Sequence, residues 1–295
     1  MSQDSLIGRT VAGYRLLQHV GEGGTATVYK AEHPERGLVA LKVLRARLAQ
    51  DPVAIKRFLR EAEFGSRVNH PNIVHTYDYG QVDDLYYLAM EWVDGEALEK
   101  FAIRSGPLAP TLVATIIEQI GAALTATHAE NIIHRDLKPA NIMYNTGTQR
   151  AVLLDFGIAR DADLKPEERL TRTGFFVGTL QYVAPEALSG ELVTEQADVY
   201  SLATIAYYLL AGTLPYNGRS PRELFQQLLT QAPIPLNQAV KGLKFPDAVE
   251  AATMAGLERE LGKRSRSVEE FTGRLCAALR QGGERKNFLK SLFGK

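Results

Sequence analysis

The 295-residue sequence has a single cysteine and no excess of either charge. One cysteine excludes an internal disulfide, and Cys276 stands among apolar residues of a helical pattern, which indicates a packed thiol. Lys plus Arg and Asp plus Glu each number 34, so the formal net charge is zero. Without a positive field over the molecule, we expect no nucleic-acid partner.

Signals for export and for membrane insertion are also lacking. The first residues, Met1 to Asp4, have neither the basic nor the apolar stretch of a secretory leader. The longest apolar run, residues 199–212, is interrupted by hydroxyl side chains and is too short to cross a bilayer. We therefore expect a cytoplasmic protein whose function depends on local sites.

The most informative segment is His-Arg-Asp-Leu-Lys-Pro-Ala-Asn at residues 134–141, followed by Asp-Phe-Gly from Asp155. Asp136 is suited to orient an acceptor hydroxyl and take its proton. Asn141 and Asp155 offer the hard oxygen ligands that Mg²⁺ prefers, and Lys138 is a mobile positive charge two residues beyond Asp136. This order predicts phosphoryl transfer from a magnesium nucleotide, in which charge must be neutralised and the reacting oxygens held in line.

These segments together resemble the catalytic loop and magnesium-binding segment of eukaryotic-type (Hanks-type) serine/threonine protein kinases, closest in character to the bacterial ones. The resemblance implies an α+β, bilobal fold with a small antiparallel-sheet N-lobe, one main helix in it, and a larger, mainly helical C-lobe. It also implies ATP and Mg²⁺ as cofactors, with Mn²⁺ as an alternative metal, and protein substrates with Ser or Thr acceptors. His134 is a packing residue in this family, so we assign it no proton transfer.

A glycine-rich segment lies near the N-terminus at residues 20–28. It resembles the kinase loop whose backbone amides cover the nucleotide phosphates, although Ala26 replaces the third glycine. A dinucleotide-binding fold is the alternative, but the flanking residues alternate like two strands and no helix begins after the glycines. The resemblance implies nucleotide contacts at Val20, Gly21, Gly23, Gly24 and Val28.

Residues 39–42 predict a short strand that ends in Lys42, which resembles the kinase lysine that contacts the α- and β-phosphates. Asp51 followed by Pro52 predicts the start of a helix. The family pairs its lysine with a glutamate on this helix, and the register matches Glu61. Glu63 is the alternative, but it would face about 200° away at 3.6 residues per turn, so only one of the two can point inward.

Two apolar segments, residues 74–79 and 85–92, predict a second hairpin across a turn at residues 81–84. By resemblance, the chain after this hairpin is the hinge between the lobes. The adenine contacts implied there are Met90, the backbones of Glu91 and Val93, and the lining residues Ala40 and Met143.

Residues 177–179 and 184–186 resemble the end of a kinase activation segment, and they disfavour a small-molecule phosphotransferase. Thr179 is expected to brace Asp136 and Lys138, and Glu186 is expected to pair with Arg264. A pseudokinase scaffold is the other alternative, but it would typically lose Lys42, Asp136 or Asp155, and the sequence keeps all three.

Thr171 and Thr173 offer two hydroxyls within the same segment. A phosphothreonine there could pair with Arg135, next to the catalytic aspartate, and order the segment. We therefore expect activation by autophosphorylation. A homodimer in which one copy phosphorylates the other is one route to this modification.

The predicted organisation has four parts. Residues 1–9 form an extension, 10–93 the N-lobe and hinge, 94–281 the C-lobe, and 282–295 a basic amphipathic tail. A tail packing weakly on the C-lobe is favoured over one that contacts a membrane. The main C-lobe helices are predicted at residues 110–130, 195–211, 221–231 and 268–280.

Overall fold

The structure is a computed structural model that describes residues 6–155, 180–189 and 191–293, with side chains as far as residue 281. Its N-terminal part is a six-stranded antiparallel sheet in the order β1-β2-β3-β4-β6-β5. We call this sheet and the helix packed on it the N-lobe. The strands are β1 (Thr10–Val11), β2 (Tyr14–Glu22), β3 (Ala26–His33), β4 (Gly37–Leu44), β5 (Thr76–Val82) and β6 (Leu85–Glu91).

The alternation of side chains along β4 separates two small cores on the two faces of the sheet. Leu41 and Val43 belong to the core on one face, whereas Leu44 belongs to the core on the other. Because successive side chains point to opposite faces, Lys42 shares its face with Leu44. This face is the one covered by the N-lobe helix.

That helix, α1 (Pro52–Arg67), begins where the sequence predicts. The Asp51 side chain accepts hydrogen bonds from the backbone N–H groups of Val53 at 2.9 Å and Ala54 at 3.4 Å. Phe58 and Ala62 are buried against the sheet. Burying a side chain as large as Phe58 stabilises the packing by roughly 1.5–3 kcal/mol.

The second hairpin is present, but its predicted limits were wrong. Val74 lies outside it, because its backbone N–H donates to the carbonyl of Leu153 in the C-terminal part of the chain at 2.9 Å. The first strand continues instead to Val82, and Asp83 has a left-handed φ of 50° that allows a two-residue turn. The second strand ends at Glu91, so Trp92 is not part of it.

The rest of the described chain is mainly helical, as expected for the C-lobe. A three-stranded sheet, β7 (Glu96–Ala97), β8 (Ile142–Asn145) and β9 (Arg150–Leu153), lies at its start. The helices are α2 (Leu98–Ser105), α3 (Pro110–Ala129), α4 (Pro185–Ser189), α5 (Gln196–Ala211), α6 (Pro221–Thr230), α7 (Asp247–Gly256) and α8 (Val268–Phe293). The two-lobed α+β fold is confirmed.

Helix α5 forms the centre of the C-lobe core, since fourteen of its residues are buried. Among the described residues, α3 alone has the length and apolar composition that crossing a membrane would need, and ten of its residues are buried in the fold.

Buried ionic and capping contacts hold the C-lobe helices in place. Arg264 donates to both carboxylate oxygens of Glu186 at 2.7 and 3.0 Å, and both side chains are almost fully buried. The Ser267 hydroxyl accepts from the Glu270 backbone N–H at 3.1 Å and so caps the start of α8. The pair of Glu186 and Arg264 connects α4 with the chain just before α8.

Candidate active site

Lys42 lies between two carboxylates at the inner face of the sheet. It pairs in register with Val28 on one side and Leu88 on the other, and it is 7% exposed. Its Nζ donates to Glu61 Oε1 at 2.6 Å and to Asp155 Oδ1 at 3.0 Å. Of the two glutamates that the sequence left as candidates, Glu61 makes this contact and Glu63 is exposed.

The charges in this cluster depend on one another. Burial alone would lower the pKa of Lys42, but Asp155 and Glu61 outweigh that effect and raise it. Partial burial favours the neutral form of Asp155, yet Lys42 holds the pKa of this carboxyl below its ordinary value. Burial raises the pKa of Glu61 to about 7 against the opposing attraction of Lys42. Lys42 and Asp155 are therefore both charged at neutral pH.

The backbone before Asp136 is fixed by Asp198, the buried acid in the first turn of α5. Its two carboxylate oxygens accept the backbone N–H groups of His134 at 2.8 Å and Arg135 at 3.0 Å. Arg135 has a φ of 64°, a strained value for a residue with a side chain. The two hydrogen bonds that the carboxylate accepts hold this turn in the conformation that presents Asp136.

His128 in α3 supports the same carboxylate, and the sequence reasoning missed it. Its Nε2 lies 2.8 Å from Asp198 Oδ2, and its Nδ1 lies 3.6 Å from Glu195. Despite burial, hydrogen bonding by His128 and nearby positive charge keep the pKa of Asp198 below its ordinary value. A histidine near the end of an apolar helix gives no local sign that it contacts an acid 70 residues away.

Asp136, Lys138 and Asn141 form a compact polar cluster. Lys138 Nζ donates to Asp136 Oδ2 at 3.0 Å, and Asn141 Nδ2 donates to the same oxygen at 3.1 Å. The short 3₁₀ helix Pro139–Asn141 brings the asparagine back toward the aspartate. His134 is fully buried, and burial lowers the pKa of this imidazole. It lies in the interior, as expected of a packing residue.

The glycine-rich segment is an exposed turn between β2 and β3. Gly23 and Gly24 are exposed, and a Cβ at Gly21 or Gly24 would meet no atom within 4 Å. Ala26, in place of the third glycine, is buried in the core under α1. Its methyl group therefore occupies the core, while the turn stays open to an approaching ligand.

The residues implied to contact adenine are spread over the sheet and the segment after it. Ala40 and Met90 face each other across β4 and β6, and Met90 is 8% exposed. The Glu91 backbone N–H donates to the carbonyl of His75 at 2.8 Å. Val93 packs at the edge of the core under α1. Met143 in β8 and Val28 in β3 are half-buried, whereas Val20 is 50% exposed.

The donor set suits a magnesium nucleotide. Asn141 uses Nδ2 toward Asp136, so its Oδ1 is the atom left to bind a cation, and the Asp155 side chain is 42% exposed. No group of three or more His, Cys, Asp or Glu side chains in the described part of the chain could hold a metal alone. Mg²⁺ usually takes one or two protein ligands and completes its shell with waters and phosphate oxygens, which fits this pair.

Three of the expected site residues, Thr171, Thr173 and Thr179, lie outside the described residues. Arginines that the sequence reasoning did not single out are found around the site. Arg45 and Arg47 contact the glycine-rich turn, and Arg57 lies on α1 one turn before Glu61. Arg150 Nη1 donates to the side chain of Glu91 at 2.8 Å and Nη2 to the backbone carbonyl of Pro71 at 2.7 Å.

The sequence profile of the protein kinase domain matches residues 14–280. Serine/threonine-protein kinase PknH of Mycobacterium tuberculosis is 39% identical over 271 residues, which are 92% of this chain. PrkC of Bacillus subtilis is 40% identical over 218 residues, or 73% of this chain. The chain spans 42% of the length of PknH and 33% of that of PrkC.

Solved structures share the fold over most of the chain. The kinase domain of Mycobacterium tuberculosis PknI matches with a TM-score of 0.70 and 31% identity, covering 92% of this chain and 98% of that one. Rad53 1–466 in complex with AMP-PNP matches with a TM-score of 0.73 and 26% identity, covering 90% of this chain and 65% of that one.

Proposed function

The chain belongs to the protein kinase family, and from that premise we propose that it transfers the γ-phosphoryl group of ATP to serine and threonine hydroxyls of proteins. The proposal rests on two clusters of polar side chains. Lys42, Glu61 and Asp155 form one cluster, and Asp136 with Lys138 and Asn141 forms the other.

Each cluster is suited to one part of the reaction. Lys42, held by two carboxylates, offers a fixed positive charge to the inner phosphates. Asp136 orients the acceptor hydroxyl and takes its proton, and Lys138 neutralises charge at the transferred group. Because phosphoryl transfer needs positioning and charge neutralisation more than covalent chemistry, these contacts cover most of what the reaction requires.

Asn141 and Asp155 would hold the metal of the nucleotide, and the glycine-rich turn would cover the phosphates. A bound magnesium ion supplies Lewis-acid polarisation and charge neutralisation at the phosphate oxygens. The adenine would lie between the N-lobe sheet and Met143, next to the backbones of Glu91 and Val93. AMP-PNP in the related Rad53 structure supports a nucleotide as the ligand of this fold.

The test is transfer of label from γ-labelled ATP with Mg²⁺, to the protein itself and to a generic basic protein. We expect phosphoserine and phosphothreonine in the wild type and none above background in Lys42→Met and Asp136→Asn. Lys241→Met and Asp84→Asn repeat the same chemical changes at exposed positions and should keep full activity. Nucleotide binding without transfer by the wild type would favour a scaffold instead.

Phosphorylation of Thr171 or Thr173 would supply an anionic partner for Arg135, the residue before Asp136, or for Arg57 on α1. Arg135 Nε and the Nε and Nη2 atoms of Arg57 are buried, with no hydrogen-bond partner among the residues that the structure describes. Both arginines are half-buried, and a polar atom shielded from water costs free energy until it finds an acceptor. A phosphothreonine carries nearly two negative charges and three acceptor oxygens, which suit a guanidinium.

Phosphopeptide mapping tests this regulation. The wild type incubated with ATP should carry phosphate on at least one of the two threonines, and the Thr171→Val/Thr173→Val protein should be less active. Dependence of the modification rate on protein concentration would identify reaction between two copies. A fully active enzyme with both threonines unmodified would exclude the regulation and leave the transferase function intact.

A further inference from the structure

We propose that Arg45 and Arg47 are positioning residues that set the glycine-rich turn so that its backbone N–H groups face the nucleotide phosphates. The inference rests on the proposed kinase function. Neither arginine belongs to the two clusters proposed for metal binding and proton transfer. Both lie in the chain after β4 and contact the turn between β2 and β3.

Three successive carbonyls of the turn are occupied by this segment. The Gly23 carbonyl accepts from Arg45 Nη1 at 3.3 Å, and the Gly24 carbonyl accepts from Arg47 Nη2 at 3.0 Å. The Thr25 carbonyl accepts from the backbone N–H of Arg45 at 2.9 Å. The arginines thus contact the turn from one direction, along the chain that leaves β4.

Peptide geometry turns these contacts into a statement about the opposite side of the turn. In a trans peptide, the carbonyl of one residue and the N–H of the next point in opposite directions. Fixing the carbonyls of Gly23 and Gly24 toward the arginines therefore directs the N–H groups of Gly24 and Thr25 away from them. N–H groups that point together out of a glycine-rich turn form a cradle for an anion.

Arg45 has a second effect, on an acid in the same turn. Its Nη2 donates to Glu22 Oε2 at 2.6 Å, so one guanidinium holds both this carboxylate and the Gly23 carbonyl. An uncompensated carboxylate beside a triphosphate would repel it. The ion pair neutralises Glu22 and keeps its side chain turned toward Arg45.

The contacts suit a role in ligand binding better than a role in stability. Arg47 is exposed, and the Arg45 side chain retains 22% of its exposure. Ion pairs that water still reaches contribute little to the stability of a folded protein. Replacing these side chains should therefore leave the thermal unfolding temperature nearly unchanged while it frees the turn.

The test compares nucleotides that carry different numbers of phosphates. For Arg45→Gln/Arg47→Gln we expect the affinities for ATP and ADP to fall about tenfold, because the side-chain hydrogen bonds to Glu22, Gly23 and Gly24 no longer organise the turn. The affinity for adenosine, which lacks phosphate, should not change. The control is Arg15→Gln, an exposed arginine at the opposite end of β2, which should match the wild type for all three ligands.

A lysine variant separates positioning from simple attraction. Arg45→Lys keeps the positive charge, but one ammonium cannot reproduce the fork that contacts Glu22 and Gly23 together. We expect it to bind ADP more weakly than the wild type does. Wild-type ADP affinity in Arg45→Lys, in Arg47→Gln and in the double glutamine variant would overturn the proposal, as would an equal loss of adenosine binding. Since binding is measured, the result stands apart from whether the wild type transfers phosphate.

Discussion

At the scale of single residues, Lys42 and its partners decide what the site can do. A lysine buried at 7% exposure keeps its charge only because Glu61 and Asp155 lie within hydrogen-bond distance. These residues were recognisable in the sequence because each stands in a local pattern, an apolar strand, a helix register or a tripeptide, although β4 continues past Lys42 to Leu44. Their mutual contacts join positions 19 and 113 residues apart, which no local pattern contains.

The two glutamates of α1 provide a matched pair for a first prediction. Glu61→Gln removes a charge-assisted hydrogen bond to Lys42, worth about 1.5–3 kcal/mol, so kcat/KM should fall by roughly 10- to 150-fold. Glu63→Gln makes the same change on the exposed side of the helix and should leave kcat/KM within about twofold of the wild type. Steady-state kinetics with ATP and a peptide substrate would measure both. Similar losses in the two variants would contradict the assignment of Glu61.

Cys276 provides a prediction about the reactivity of its thiol. Its Sγ lies 3.4 Å from the backbone carbonyl of Ala114, and burial raises the pKa of the thiol to about 11. A raised thiol pKa means that the reactive thiolate is scarce in the folded protein below that pH. At pH 8 we expect an alkylating reagent to label Cys276 in urea but not in buffer, measured by intact mass. Rapid labelling of the folded protein would show that the thiol is accessible.

Other residue-scale contacts could not be predicted because their partners are distant or ordinary in type. His128 reaches Asp198 from an apolar helix, and Arg45 and Arg47 reach a turn more than twenty residues before them. Arginines after a strand are common surface residues, so the sequence contains no sign of their acceptors. Only the folded backbone brings the carbonyls of the turn within their reach.

At the scale of elements, hydrophobic periodicity and capping residues predicted most strands and helices. The start of α1 was correct because Asp51 and Pro52 act locally. The limits of the second hairpin were wrong because the backbone N–H of Val74 is used by Leu153, on a strand far along the chain. Local patterns cannot show such a competition between two possible backbone partners.

The connection from the N-lobe to β7 provides a prediction at this scale. Gly95 has a φ of 131°, and a Cβ placed there would lie 2.5 Å from the backbone oxygen of Tyr144 in β8. Gly95→Ala should therefore destabilise the fold by about 1–3 kcal/mol through strain and displacement of β8. Gly262→Ala is the control, because nothing lies within 4 Å of a Cβ at that glycine. Equal urea midpoints for the two variants would contradict the close approach.

At the scale of the whole molecule, a few buried polar contacts connect parts of the chain that are far apart in sequence. Arg264 donates to Glu186, to the carbonyl of Gln196 at 2.9 Å and to that of Glu258 at 2.7 Å. It thereby joins α4, the start of α5 and the segment that follows α7. The sequence predicted the pair with Glu186 only through the resemblance to kinases, since 78 residues separate the two.

Removing one side of this pair should destabilise the whole C-lobe. Arg264→Met leaves the buried Glu186 carboxylate without its partner, and we expect a loss of about 3–5 kcal/mol in the free energy of unfolding. The double variant Glu186→Leu/Arg264→Met leaves no unpaired charge and should be more stable than either single variant. Urea unfolding of the three proteins would measure this, and additive losses would contradict a coupled buried pair.

The central claim is that Asp136 acts in transfer and not in nucleotide binding. The most direct measurement is the single-turnover rate of phosphoryl transfer in Asp136→Asn at saturating ATP and Mg²⁺, with the ATP affinity measured on the same protein. We predict an ATP affinity close to that of the wild type and a transfer rate lower by about 10²- to 10⁴-fold, the usual contribution of a general base. A transfer rate within about threefold of the wild type would contradict the claim.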